Sequence, residues 1–374
     1  MRPAELPPPD PDALAASRRL LDRLGGELAA SDNWISFARY MELALHEPGL
    51  GYYAAGSRKL GAAGDFVTAP ELSPLFARTL ARQVAEILRP GERVLEFGAG
   101  SGALAEVLLQ EISVPYLVLE TSSELRERQK ERLGDRVQWL ERLPRGFRGV
   151  MIANEVLDAM PVHALAWTSA GILERGVCAN EGQLAWSDRP ASGAVLSNAK
   201  AIDIELPPSG RYESELALLA RMWMRSLGRL LERGALLVID YGFPEREYFH
   251  PQRSMGTLAC HYRHHVHADP FYLPGLQDIT AHVDFSALAR SAREGGLEVL
   301  GYATQAQFLV NCGITEVLAK EQPADAARYL PAAAAAQKLL SPSEMGELFK
   351  VLAVGRGVEQ PLMGFSKGDR RNAL

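Results

Sequence analysis

The chain has 374 residues, 47% of them apolar and 23% charged, with 40 basic against 46 acidic side chains and a net charge of −6. Such a composition belongs to a globular chain with a sizeable core. It excludes a disordered or fibrous protein and argues against a broad electrostatic grip on nucleic acid. Cys178, Cys260 and Cys312 are far apart and form no CxxC pair, so neither a disulfide framework nor a zinc ribbon is indicated, and a reducing compartment fits. No stretch approaches the roughly 20 apolar residues of a membrane span. The Pro-rich N-terminus lacks the apolar segment of a secretory signal. The expectation is a cytoplasmic protein without membrane insertion.

In chain order, residues 1–12 read as a loose tail. Leu14, Leu20, Leu21, Leu24 and Leu28 recur at helical spacing, and SDNWISFARYMELALHE reads as a second helix with Ser31 or Asp32 as its N-cap, ended by Pro48 and Gly49. The loop SRKLGAAGDFVTAPE then leads into a helical pattern near 73–88. The character changes at Gly91. ERVLEFGAGSGALAEVLLQEI reads as buried strand, glycine turn and helix, and PYLVLETSSELRERQKERL repeats strand then helix. Val137–Leu140 and GVMIANEVLDAMPV supply a third and a fourth strand, and this alternation predicts a parallel sheet covered on both faces.

The pattern breaks after His163. LAWTSAGILERGVCANEGQLAWS alternates between turn signals and reads as inserted antiparallel hairpins. Residues 213–232 look helical, GALLVIDYG is a buried strand, and 243–280 is a long, weakly patterned stretch expected to be functional or covering. VDFSALARSAREGG reads as a helix capped by Asp284, and LEVLGYATQAQFLV and FKVLAVGRG are the last strand candidates. The domain reading is a tail and helix over 1–30, a helical and lid region over 31–90, a core of 91–168 and 234–374, and an inserted cap over 169–233.

Glu96-Phe-Gly98-Ala99-Gly100-Ser-Gly102 follows a strand and opens a helix. Glycines let backbone approach a ligand closely, and the helix start behind them offers free N–H groups. Glu120 ends the next strand, where an acid can bind two ribose hydroxyls. Gly98, Gly100 and Ala103 also satisfy the dinucleotide pattern GxGxxA. However, a carboxylate before the first glycine suits a cationic, phosphate-free ligand such as S-adenosylmethionine better than a pyrophosphate. Thr121 and Leu140, at the ends of the second and third strands, join the cofactor set. Asn154 and Glu155 end the fourth strand, where cofactor and acceptor would meet. Asp158, three residues on, would share a face with Glu155 if that turn is helical, so that two carboxylates could fork a guanidinium. Alternatively, Asp158 caps a following helix. Asp240 and Tyr241 end the fifth strand and face the same cleft on this reading. Five of the eight histidines fall at 261, 264, 265, 267 and 282. They lack metal-site spacing, so no metal is expected, and His265 is a candidate proton acceptor in a substrate-facing loop.

GDFVTAPELSPLF, VLEFGAGSGALA, NEVLDAMPVH, VIDYG, the span from GTLACHYRHHVH to LPGLQDITAHVDFS, and LSPSEMGELFKVLA resemble the MidA-like methyltransferases. That family includes the mitochondrial complex I assembly factor that symmetrically dimethylates an arginine of a complex I subunit. The resemblance runs from about Ser36 to Arg356. His282 stands where the family usually carries an aspartate, which removes a carboxylate from that motif. The resemblance implies an α/β fold with a class I Rossmann-like methyltransferase sheet, an N-terminal helical region and an inserted antiparallel cap. It implies S-adenosyl-L-methionine as cofactor and a loop carrying Asp65, Phe66, Thr68, Pro70 and Glu71 that closes over the methionine end. It also adds Asp278 and Thr280 to the substrate-binding candidates; Tyr52 and Tyr53, as loop aromatics, either line the pocket, which makes Tyr53 a substrate-binding candidate, or serve as packing anchors. The implied function is methylation of a protein arginine, on a complex I subunit. The rival readings are a methyltransferase for a small molecule or another side chain, a non-catalytic cofactor-binding assembly factor, and an NAD enzyme. The sequence is silent on oligomeric state, a homodimer being one expectation.

Overall fold

The structure, a computed structural model, describes residues 6–54, 68–321 and 326–374. The chain divides into two compact units: Val67–Leu157 with Arg221–Pro244 and Asp284–Leu374, and Met1–Phe66 with Asp158–Ala220 and Glu245–Val283.

The former unit is built on one sheet. Its main strands are β1 (Arg93–Phe97), β2 (Tyr116–Leu119), β3 (Gln138–Leu140), β4 (Phe147–Asn154), β5 (Leu231–Phe243), β6 (Glu298–Thr304) and β7 (Phe349–Arg356), with the two-residue strand Val283–Asp284 also paired to β5. They run in the order β3-β2-β1-β4-β5-β7-β6. Strands β1 to β5 pair in parallel, and β7 lies antiparallel between β5 and β6. The chain winds outward from β1 through β2 to β3, then returns to start the other half at β4. The carboxyl ends of β1 and β4 therefore flank the point where strand order reverses, which is where open α/β sheets bind ligands.

The apolar runs of these strands exist because both faces of the sheet are covered. Leu236, Leu237, Val238 and Ile239 of β5 are all 0% exposed. Helices Pro74–Ile87 and Ala103–Glu111 lay Phe76, Leu80, Val84, Leu104 and Leu108 into the same core. Each such side chain contributes about 1.5–3 kcal/mol by leaving water. Asp284 caps the helix Phe285–Glu294, as its sequence position predicts, by accepting from the Ala287 N–H at 2.9 Å.

The other unit carries an antiparallel sheet of Ile35–Ser36, Gly171–Asn180, His163–Thr168 and Arg211–Leu216 in that order, with Gln183–Pro190 also on Gly171–Asn180. A second sheet joins Ala259–Tyr262 to His265–His267 and Asp278–Thr280. Helices Pro11–Ala30 and Phe37–His46 bury Leu20, Leu24, Leu28, Phe37, Tyr40 and Met41 in a core shared with Val177, Cys260 and Ile279.

Four local readings change, each through pairing distant in sequence. Ser31 closes the first helix, its N–H donating to Leu28 O, and the second helix starts after Ser36, whose Oγ accepts from Arg39 N. Ile35–Ser36 is drawn into a strand pair with Gly176–Val177, which delays the helix. Residues 211–216 form a strand against His163–Thr168, and the helix begins only at Leu218. Cross-strand partners override the local helix preference of Glu and Leu there. His163–Thr168, which the domain reading placed in the core although its Leu165–Thr168 half also read as hairpin, pairs within the antiparallel sheet. The weakly patterned stretch from 243 to 280 holds the second sheet, whose short strands leave too little periodicity to read.

Candidate active site

The glycine turn follows β1. Gly98, Gly100 and Gly102 have φ of +57°, +54° and +81°, a backbone region that side chains disfavour. Space is tight as well: a Cβ on Gly98 would sit 3.3 Å from Val156 Cγ2, and one on Gly102 3.2 Å from Leu133 Cδ1. Ala99 between them is buried. Gly102 is the left-handed N-cap of helix Ala103–Glu111. Of the lid candidates, Thr68 precedes helix Ala69–Leu72 without a side-chain cap bond, and Pro70 lies in its first turn. Glu71 accepts a hydrogen bond from Ser101 Oγ in the glycine turn. Arg132 braces the same turn by donating to Ser101 O at 3.1 Å and Oγ at 2.6 Å. Asp65 and Phe66 lie outside the described residues.

Glu96 is 3% exposed, and its Oε2 accepts from Tyr116 O–H at 2.7 Å. Burial pushes its carboxyl up to about 7, the Tyr116 bond opposing and the neighbouring Glu120 charge adding to the rise. The folded-state value lies above the unfolded one. Between these two pH values the folded chain therefore binds the extra proton, and this group's contribution to stability falls as pH rises towards 7. Glu96→Gln removes the effect. Relative to the parent, the variant is expected to gain on the order of 3 kcal/mol between pH 4.5 and pH 8. Denaturant titrations across that range check this, and parallel pH profiles for the two proteins would overturn it.

Glu120 follows β2. Its Oε1 accepts from Ser122 N–H at 2.9 Å and its Oε2 from Gln129 Nε2 at 3.0 Å, while burial raises its pKa. Thr121 beside it is exposed, and Leu140 at the end of β3 is half-buried. Gln129, which the sequence reading passes over, also donates to Gly100 O and accepts from Trp139 Nε1–H. A signal for it exists: Leu125, Gln129 and Leu133 form the buried stripe of helix Ser123–Leu133, and a glutamine interrupts it.

Asn154 ends β4. Its Nδ2 donates to Glu155 Oε1 at 3.0 Å, and its buried Oδ1 has no hydrogen-bond partner among the described residues. Glu155 takes φ +53° and donates its N–H to Ile239 O on β5 at 2.9 Å. A glutamate in the left-handed region is strained, and such strain concentrates at functional sites. The segment 155–162 is not helical, so the shared helical face expected for Glu155 and Asp158, and the cap role for Asp158, have no helix to rest on. Asp240 lies on the neighbouring strand β5. It is 0% exposed and accepts from the Leu157 and Tyr241 N–H groups, both at 2.9 Å. These bonds tie the carboxylate to the backbone that follows β4 and to its own strand end. Tyr241 is half-buried, its ring 3.9 Å from that of Phe349.

Within the other unit the structure gathers several further candidates. Tyr53 O–H donates to Asp278 Oδ2 at 2.9 Å. Burial first, then the charges of Asp278 and Asp158, hold that phenol well above its usual range. His46, absent from the sequence reading, stacks on Tyr53 with ring centroids 5.6 Å apart. Burial lowers its pKa. The main-chain oxygen of Asp158 accepts from Ala281 N–H. Thr280 Oγ1 lies 3.4 Å from His261 Nε2, and His265 pairs with Tyr262 across the small sheet. Among the described residues, no group of three or more His, Cys, Asp or Glu could hold a metal ion, and no helix is long and apolar enough to cross a membrane.

The sheet order, the glycine turn after β1, the carboxylate after β2 and the orphaned amide oxygen at the end of β4 together define a Rossmann-like methyltransferase of class I. They fit an adenosyl sulfonium ligand. Residues 75–303 match a family described as S-adenosyl-L-methionine-dependent methyltransferase, and the chain belongs to that family. It is therefore an enzyme that uses S-adenosylmethionine, and the dinucleotide reading of the glycine turn falls away. The chain is 30% identical to the zebrafish (Danio rerio) protein arginine methyltransferase NDUFAF7, mitochondrial, over 90% of its length and 87% of the relative's. It is 28% identical to the Homo sapiens protein of that name, over 86% and 80% respectively. A crystal structure of a COG1565 superfamily member from Burkholderia thailandensis bound to S-adenosyl-homocysteine is 48% identical. It superposes with a TM-score of 0.94 over 99% of this chain and 100% of that one.

Proposed function

We propose that this methyltransferase acts on an arginine side chain of a protein, with a respiratory complex I subunit as the acceptor that the family resemblance implies. Relatives named as protein arginine methyltransferases support the acceptor class. The observation that carries the reading is Glu155, a strained carboxylate at the carboxyl end of β4 whose Oε1 is held by Asn154.

S-adenosylmethionine supplies an electrophilic methyl on a sulfonium, so that forming the C–N bond breaks the C–S bond and leaves a neutral thioether. With so good a leaving group, alignment does most of the work, and positioning can supply roughly 7–11 kcal/mol. Glu155 accepts from the guanidinium N–H groups, orients the attacking nitrogen and draws the positive charge away from it. The arginine pKa exceeds about 12, so the nitrogen's proton leaves to water after transfer. Gly98, Gly100, Gly102 and Glu120 hold the cofactor. Tyr53, Asp158, Asp278, Thr280 and His265 stand as acceptor-recognition candidates.

The test is to incubate the purified chain with S-adenosylmethionine and complex I subunits from its source, then read the products by peptide mass spectrometry. Methylarginine is the expected product. Methyl groups found only on other side chains or on small molecules would overturn the arginine reading.

A further inference from the structure

Gln129 is 0% exposed, yet every polar atom of its amide is used. Nε2 donates to Gly100 O at 2.9 Å and to Glu120 Oε2 at 3.0 Å, and Oε1 accepts from Trp139 Nε1–H at 3.0 Å. The three partners fix the amide's orientation. A backbone carbonyl and a carboxylate can only accept, and an indole N–H can only donate. Flipping the amide would set oxygen against two oxygens and nitrogen against a donor. Glutamate would offer no proton to either acceptor and would bring a second charge beside Glu120. An apolar residue would take the partner from three polar groups at once. The position therefore demands the chemistry of an amide of this length, although the stripe it occupies is otherwise leucine.

The consequence concerns Glu120. With Ser122 N–H on one oxygen, Gln129 on the other and the Thr121 N–H as a third donor, the carboxylate plane is fixed, and of its roughly four lone-pair sites some are left for a diol. We infer that Gln129 is a positioning residue for the cofactor's ribose: it locks Glu120 for bidentate acceptance from two vicinal hydroxyls and ties that acid to the glycine turn through Gly100. The inference rests on the cofactor assignment and is independent of the acceptor's identity.

Calorimetry tests it without turnover. The ligands are S-adenosyl-homocysteine and its 2′-deoxyribose analogue, and the proteins are the parent, Gln129→Met, Glu120→Gln and the double variant. The parent is expected to prefer the ribose form. Gln129→Met should lose about tenfold in affinity for S-adenosyl-homocysteine, the size expected for hydrogen bonds that orient a charged group. It should lose much less for the deoxy analogue, so the preference collapses. The double variant should bind no more weakly than Glu120→Gln alone, because both changes remove one function. An equal loss for both ligands, or a lower unfolding temperature with the preference intact, would reduce Gln129 to a packing role and overturn the inference. A parent without ribose preference would overturn it as well. If Gln129→Met does not fold, Trp139→Phe keeps an aromatic ring while removing the indole N–H, together with part of the ring volume, and should weaken the preference in the same direction, by about threefold; an unchanged preference there would count against it.

Discussion

Glu155→Gln is expected to lower methyl transfer by about a hundredfold while leaving S-adenosyl-homocysteine affinity within about twofold, the split that marks a group acting on the acceptor rather than the cofactor. The substitution keeps the side-chain length, the Asn154 bond to Oε1 and the left-handed backbone. What it removes is the charge. A guanidinium held by a carboxylate is oriented by charge-assisted bonds roughly twice as strong as neutral ones. Its positive charge is also drawn toward the carboxylate and away from the nitrogen that must attack. Single-turnover rates with labelled cofactor check the effect, and a full rate in the variant would remove Glu155 from the chemistry. A companion change separates strain from function. At φ +53° a glycine avoids the penalty that a side chain carries in this region. Glu155→Gly should therefore unfold at the same or a higher temperature than the parent while losing transfer. A protein that tolerates a strained residue at a strand end, and becomes more stable when it is removed, has kept that residue for what it does.

Gly100→Val is the second large effect. Gly100 has φ +54°, and a branched residue there costs on the order of 1–3 kcal/mol in backbone strain alone. The added side chain also stands on the turn where the backbone must come close to its ligand. The expected result is a loss of at least about a hundredfold in affinity for S-adenosylmethionine and S-adenosyl-homocysteine. NAD is expected to bind neither the parent nor the variant. Calorimetry with all three ligands reads this directly, and unchanged affinity in the variant would move the cofactor away from the turn. Because Gly100 O also receives Gln129 Nε2, the variant disturbs the lock on Glu120 as well. Gly100→Ala, with a smaller side chain at the same φ, should fall between the two.

These effects fall on residues of unequal visibility in the sequence. The glycine turn was legible because its demand is local: three glycines between a buried strand and a helix are needed wherever the backbone takes positive φ. Glu120 was legible by its distance along a repeating strand-and-helix unit, and Glu155 by its place at a strand end. Asp240 was legible by its strand, but the backbone it holds was not. Its partner, the Leu157 N–H, lies 83 residues away, and only the parallel register of β4 and β5 brings that N–H over the carboxylate. Gln129 was invisible as a functional residue because nothing in a glutamine on a helix announces which acceptors will face it. His46 was invisible for a similar reason, since its stacking on Tyr53 comes from the fold of its own unit.

By itself the sequence determined the α/β class, the parallel core, and the glycine turn with the acids at its strand ends. Each depends on periodicity or spacing within a few dozen residues, and hydrophobic burial enforces that local pattern directly. Only the tertiary structure decided where strands end and helices begin around 31–36 and 211–218, and which residues join the antiparallel sheet. It alone decided which polar side chains spend their hydrogen bonds on the protein and which keep them for a ligand. Those outcomes depend on partners far apart in the chain, and a buried polar group has no role until the fold supplies its counterpart.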